Sequence, residues 1–173
     1  DLNRALYRKR IPLEMMYCCG VFGLPPETKP VQPRCWEEYS GKDTIKKGET
    51  VIFSPYAKSV TALPDKVWEE IVADFGEKGY LMFTNVFGDE KPLPYTLPIR
   101  PKISELKSAV EWAGTFIGIR SGLCDVIRTA DCRKIALYPD YPYCDTQWKS
   151  MDIYSINEFE NITVKEGFVW KIH

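Results

Sequence analysis

Short runs of consecutive apolar residues alternate along this chain with longer stretches in which apolar positions recur every three or four residues. The short runs are Val51-Ile52-Phe53, Tyr80-Leu81-Met82-Phe83-Thr84, Thr115-Phe116-Ile117-Gly118-Ile119 and Lys134-Ile135-Ala136-Leu137-Tyr138. Runs of this length, rich in β-branched and aromatic residues and bounded by Gly or Pro, predict buried strands. A weaker strand is predicted at 95–99, where Pro94 and Pro98 restrict it to an edge or an irregular position. Helical spacing is clearest in Val67, Trp68, Ile71, Val72 and Phe75, in a segment that opens at Pro64-Asp65 and closes at Gly76 and Gly79. A second helix, with Ser104 as its cap, carries Leu106, Ala109, Val110 and Ala113 on one face. Leu13, Met16, Tyr17 and Val21 predict a helix over 13–24, and residues 153–162 a last helix or edge element.

Strands alternating with helices of this size imply βαβ units with right-handed crossovers. The predicted fold is α/β: a doubly wound, mostly parallel Rossmann-like sheet with helices on both faces. Residues 1–48 read as a helical lead-in segment and linker, the latter rich in Pro and Lys. Residues 49–150 form the Rossmann-like domain and 151–173 a C-terminal helix or tail. In such sheets, ligands sit beyond the C-terminal ends of the strands.

Composition narrows the functions. With 173 residues, 45% hydrophobic and 27% charged, the chain suits one soluble domain with a real core. A formal net charge of -1 gives no basis for bulk nucleic-acid or anionic-membrane binding. No apolar run is long enough to span a bilayer and the N-terminus is unlike a signal peptide, so the expectation is a cytoplasmic protein, at most peripheral at the inner face of a membrane. The six cysteines contain no C-x-x-C pair and have no His in range, which predicts reduced thiols and no metal site. The one histidine is His173, the last residue, so histidine catalysis is not expected. The start at Asp1, followed by the basic run at 3–10, is read as a fragment of a longer protein. Neither a P-loop, a G-x-G-x-x-G fingerprint nor a G-x-S-x-G elbow is present.

The candidate chemistry lies where strand 115–119 turns into a helix through Arg120-Ser121-Gly122. Helix starts carry unpaired N–H groups and the positive end of the dipole, which suits a phosphate. An ordinary βα turn, with Ser121 as N-cap, Gly122 for close packing and Arg120 solvated, is the alternative. Asp125 is expected to bond amides of its own first turn. The loop after the first strand, at 54–61, brings Lys58, Ser59 and Thr61 to the same rim. Two cations with several hydroxyls fit a diphosphate.

The order of these features resembles the C-terminal, nucleotide-sugar-binding half of the two-domain Rossmann-type (GT-B) glycosyltransferases, the bacterial heptosyltransferase-like group above all. The resemblance rests on the Lys58 loop, the Pro64-capped helix with Trp68, the Ile103-Ser104-Glu105-Leu106 helix and the strand ending in Arg120-Ser121-Gly122-Leu123. Ile11-Pro12-Leu13 and Gly23-Leu24-Pro25 are similar to the linker entering that half, and the likeness covers roughly residues 13–138. It implies that Lys58, with Ser59 or Thr61, meets the donor phosphates, and that Ser121 and Gly122 hold the diphosphate. Arg120 stands where the family has an acid and Asp125 where it often has a His. An Arg at that point is suited to neutralise a diphosphate leaving group without a divalent metal.

The resemblance implies no cofactor beyond a nucleoside-diphosphate sugar as donor substrate. It implies a glycan acceptor, surface glycan synthesis, and a missing N-terminal domain that carries the base and acceptor site, so that the isolated chain is expected to be inactive. A homodimer through the truncated face is a further expected partner. The alternative reading is a non-catalytic α/β module for phosphate-ligand sensing or protein interaction, using Tyr138, Tyr141, Tyr143 and Trp148 as exposed aromatics.

Overall fold

A computed structural model describes residues 9, 11, 13–25, 27–28, 36–142 and 148–171. Tyr143, Cys35, Cys144, Pro12, His173 and nearly all of the basic opening run lie outside the described residues. Six strands form one sheet: β1 (Thr50–Ser54), β2 (Leu81–Asn85), β3 (Leu97–Ile99), β4 (Gly114–Ile119), β5 (Arg133–Pro139) and β6 (Glu160–Val164). Their spatial order is β3-β2-β1-β4-β5-β6, and every pairing is parallel. The fold is therefore the Rossmann-like α/β sheet expected from the alternating pattern. The chain winds outward from β1 in one direction and from β4 in the other, so the strand order reverses between these two.

Three central strands are buried almost throughout, as a parallel sheet covered on both faces requires. Alternate residues point to opposite layers. Val51 and Phe53 join Ile117, Ile119, Ile135 and Leu137 against α2 (Asp65–Glu77), where Trp68, Ile71 and Phe75 are buried. Ile52, Phe116, Ala136 and Tyr138 pack into the other layer, against α3 (Ile103–Ala113) through Leu106, Ala109 and Val110. Phe53 meets the edge of Phe75 at 6.2 Å, and Phe116 that of Phe159 at 6.5 Å.

Several details differ from the sequence-based expectation. Lys102, not Ser104, caps α3, because the Glu105 carboxylate accepts the Lys102 N–H at 3.0 Å and leaves Ser104 inside the first turn. The lead-in helix is three α-helical residues, α1 (Leu13–Met15), followed by a π-helical turn, Met16–Val21. Only Met16 of its apolar face is buried, and Tyr17, Val21 and Phe22 are exposed. Residues 36–48 do more than connect. Ile45 enters the core, Tyr39 N–H donates to Ser108 Oγ at 3.1 Å, and Gly48 N–H donates to Trp112 O at 3.0 Å. The sheet also runs past residue 150: a short helix, α5 (Ser150–Tyr154), leads into β6, which pairs with β5. The proposed boundary at 150 thus falls inside the sheet domain. After β6, Trp170 docks on α2, its Nε1–H donating to Asp74 Oδ2 at 3.0 Å and its N–H to Glu70 Oε2 at 3.1 Å.

Among the described residues no helix is long and apolar enough to cross a membrane. The junction from α3 to β4 has no loop at all. Gly114 ends the helix at φ 95° and starts the strand, and a Cβ there would lie 2.9 Å from Gly48 Cα. Left-handed backbone and backbone-to-backbone contact leave glycine as the one residue that fits without strain. Gly114→Ala is expected to lower unfolding stability by about 1–3 kcal/mol or more in urea titration. Gly79→Ala, at φ 78° but with no neighbour within 4 Å, should lose less.

Candidate functional site

A cavity of about 430 Å³ opens at the C-terminal ends of β1, β4 and β5. This is the crevice where the strand order reverses, the usual ligand position in open α/β sheets. Ser59 and Val60 reach it from the β1–α2 loop, and Arg120, Ser121 and Gly122 from the end of β4. Tyr138, Pro139 and Tyr141 complete it from β5, with Ser150 and Tyr154 from α5 and Leu13 from the lead-in helix. Four of the six residues picked from the sequence therefore share one cavity. Lys58 and Thr61 are exposed on the same loop but do not line it.

Arg120 is not the free cation that its place beside Ser121 suggested. Its residue is only 9% exposed. Nη1 and Nη2 donate to Asp125 Oδ2 and Oδ1, both at 2.9 Å, in a two-pronged pair. Nε donates to Tyr154 O at 2.7 Å and Nη1 also to Ser121 O at 2.5 Å. Burial explains this partner set: a guanidinium withdrawn from water needs a counter-charge and acceptors for its fixed fork of donors. Asp125 consequently holds Arg120 rather than amides of its own turn. Among the described residues, the cavity lining carries one positive and one negative side chain, and they are bound to each other.

The helix after Gly122 is shorter than the sequence reading implied. It is α4 (Gly122–Val126), five residues long, so little dipole accumulates at its start. Ser121 occupies the N-cap position without a side-chain capping bond. At Gly122 an added Cβ would meet nothing within 4 Å, so close packing is not the reason for glycine there. Its bare backbone adjoins the open cavity, an arrangement that lets a ligand approach closely.

The aromatic cluster read as an exposed surface is mostly interior. Tyr138 is fully buried and Trp148 is 9% exposed. The Tyr138 hydroxyl lies 2.7 Å from Asn161 Oδ1 and 3.0 Å from Tyr154 O, and burial pushes its ionisation far above the ordinary tyrosine range. Asn161 in turn donates to Ile156 O at 2.8 Å and Phe159 O at 2.9 Å, fixing the turn before β6. Tyr141 is half-buried in the cavity wall.

Ser150 and Tyr154 are cavity residues that the sequence reading did not select, and Tyr141 was selected only as an exposed aromatic of the alternative reading. The signal was present in the Tyr-, Pro- and Asp-rich stretch directly after β5, since any loop leaving a parallel strand's C-terminal end lies on this rim.

A second space, about 650 Å³, adjoins the first and shares Leu13, Arg120, Asp125 and Tyr154 with it. Arg128 lines it, paired with Glu158 at 2.7 Å and Glu14 at 2.8 Å. No cluster of three His, Cys, Asp or Glu side chains among the described residues is placed to hold a metal ion. The four described cysteines are free.

No protein-family model matches the chain, and no curated protein matches it in sequence. Solved structures do share its fold. One is the bacterial iron-containing dodecameric glycosyltransferase TibC from enterotoxigenic E. coli H10407, at a TM-score of 0.52 and 16% identity over 68% of this chain and 33% of that one. Another is the E. coli heptosyltransferase WaaC with ADP, at a TM-score of 0.54 and 11% identity over 85% of this chain and 48% of that one. The chain thus spans from about a third to about a half of the proteins whose fold it shares.

Two outcomes follow from this geometry. Arg120→Met removes one of two donors from each of Tyr154 O and Ser121 O, which keep the Tyr138 hydroxyl and the Cys124 N–H, and leaves Asp125 unpaired; it is expected to cost about 2 kcal/mol in urea unfolding, against about 1 kcal/mol for Asp125→Asn, whose side chain is 54% exposed. Burial pushes the thiols of Cys124 and Cys132 up to about 11. Iodoacetamide at pH 8, followed by peptide mapping of the native protein, should therefore label Cys18 and Cys19 well before either of them.

Proposed function

We propose that this domain binds a nucleoside-diphosphate sugar and serves as the donor half of a glycosyltransferase. The observation that carries the reading is the convergence of Ser59, Ser121 and Gly122, from two loops distant in sequence, on one cavity at the reversal of strand order. Fold likeness to WaaC, described with ADP, and to TibC supports it. The hydroxyls of Ser59 and Ser121 and the backbone at Gly122 would hold the diphosphate. Lys58, exposed and without an ion-pair or hydrogen-bond partner among the described residues, would swing in from the rim as the cation. Arg120 acts through position, by holding the Ser121-Gly122 turn, more than by its charge.

Transfer to a glycan acceptor would need a second domain joined to this one, supplying the base and the acceptor surface. Tyr17, Val21 and Phe22, exposed on the π-helical turn, support covering by such a domain. Surface glycan synthesis on the cytoplasmic side of a membrane is the setting this reading fits.

The test is thermal unfolding with UDP, GDP and ADP at millimolar concentration. A stabilised wild type is expected with at least one of them, by about 2.7 kcal/mol at a hundredfold excess over Kd. Gly122→Ala keeps the fold, because the added Cβ meets nothing within 4 Å, yet should diminish the shift. Lys58→Ala should weaken binding about fivefold, in line with loss of one solvent-exposed charge contact. No shift with any of the three nucleotides would defeat the reading.

A further inference from the structure

The two edges of the sheet, β3 and β6, are built differently. In a strand, each residue turns its N–H and C=O to the same side, and the side alternates from residue to residue. At the first edge the Ile99 C=O accepts the Val86 N–H at 3.1 Å, so Leu97 and Ile99 face β2 and Pro98 faces outward. Proline has no N–H and β3 is three residues long, so this edge offers an incoming strand a single carbonyl. At the other edge the Val164 C=O accepts the Asp140 N–H at 3.1 Å, so Glu160, Ile162 and Val164 face β5. Asn161 and Thr163 turn their backbone groups away from the sheet, and no other described residue bonds to them.

Natural sheets blunt open edges with proline, lysine or bulges. β6 has neither proline nor lysine, and its one charge, Glu160, is already met by Arg133 through bonds of 2.8 and 3.0 Å. The strand that fits this edge best is β6 of a second copy. Antiparallel pairing about a two-fold axis through Ile162 sets Asn161 opposite Thr163 twice, and each of those pairs exchanges two N–H···O=C bonds. Every outward backbone group of both strands is then used, while the Asn161 side chain keeps its bonds inside the fold. Ile162 meets Ile162 in the close, non-hydrogen-bonded position, where β-branched side chains pair well, and Glu160 lies opposite Val164, away from a like charge. Moving the axis to Asn161 or to Thr163 sets the other of the two against Phe159 or Lys165, beyond the ends of the strand.

We infer that β6 is a homodimerisation edge, at which two copies of this chain join their sheets into one continuous sheet through Asn161, Ile162 and Thr163. The contact is small, a few backbone bonds and one apolar pair, so the dimer is a weak one, half formed at about 100 µM. It does not depend on what the cavity binds, and it uses a surface other than the exposed π-helical turn.

Sedimentation velocity over about 5 µM to 1 mM, a range that brackets a weak interface, should show wild type passing from monomer to dimer. Thr163→Pro removes an outward N–H and no bond of the β5–β6 ladder, and should weaken the dimer about tenfold or more. Thr163→Ala, which keeps that N–H, should dimerise like wild type. The register is read separately by cysteine cross-linking under mild oxidation with peptide mapping. Ile162→Cys should join to its own copy, whereas Glu160→Cys, about 13 Å from its counterpart across the axis, should not. Should Thr163→Pro lose its fold by circular dichroism, the cross-links alone decide. A wild type that stays monomeric throughout overturns the assignment. So does a dimer that a folded Thr163→Pro leaves intact, or one in which Ile162→Cys fails to join.

Discussion

The fork between Arg120 and Asp125 is the fastening on which the rim of this sheet depends. One guanidinium ties the exit of β4 to the first turn of α4 through Asp125, to its own turn through Ser121 O, and to the end of α5 through Tyr154 O. Lysine has no equivalent, since a single ammonium cannot direct donors along three fixed directions. Among the described residues, Arg120 is the one cation lining the cavity, and its charge is met by Asp125.

That fastening works only because the strands beneath it are immovable. β1, β4 and β5 are sealed on both faces, one layer filled by α2 and the other by α3. Two irregular stretches finish the seal. Residues 36–48 are stitched to α3 by backbone and side-chain hydrogen bonds, and the segment after β6 is held on α2 by Trp170. Loops rising from so rigid a base can bring Ser59 and Ser121 together without ordering each other.

Strand and helix order was legible in the sequence because burial on both faces forces continuous apolar runs, while helices show their three-to-four spacing. The cavity was half legible. Ser59, Ser121 and Gly122 could be placed because a parallel sheet sends ligands to its C-terminal rim. Arg120 was misjudged, since sequence does not reveal whether a charged side chain faces water or a partner five residues on. Tyr138 and Trp148 were misjudged for a related reason: a polar, proline-rich neighbourhood reads as surface, yet Asn161 supplies the buried partner that lets Tyr138 go inside.

The pairing of β1 with β4 has a consequence for how the chain assembles. Thr50 lies against Gly114, with α2, β2, β3 and α3 all intervening in sequence. The β1–β2–β3 half is a local unit that can form as it is made, whereas every strand beyond it waits for one long loop to close. Until then Val51, Ile52 and Phe53 present an unpaired edge and two incompletely covered faces, the kind of surface that joins other chains. During synthesis the seam that later frames the cavity is thus the place where the unfinished protein is most adhesive.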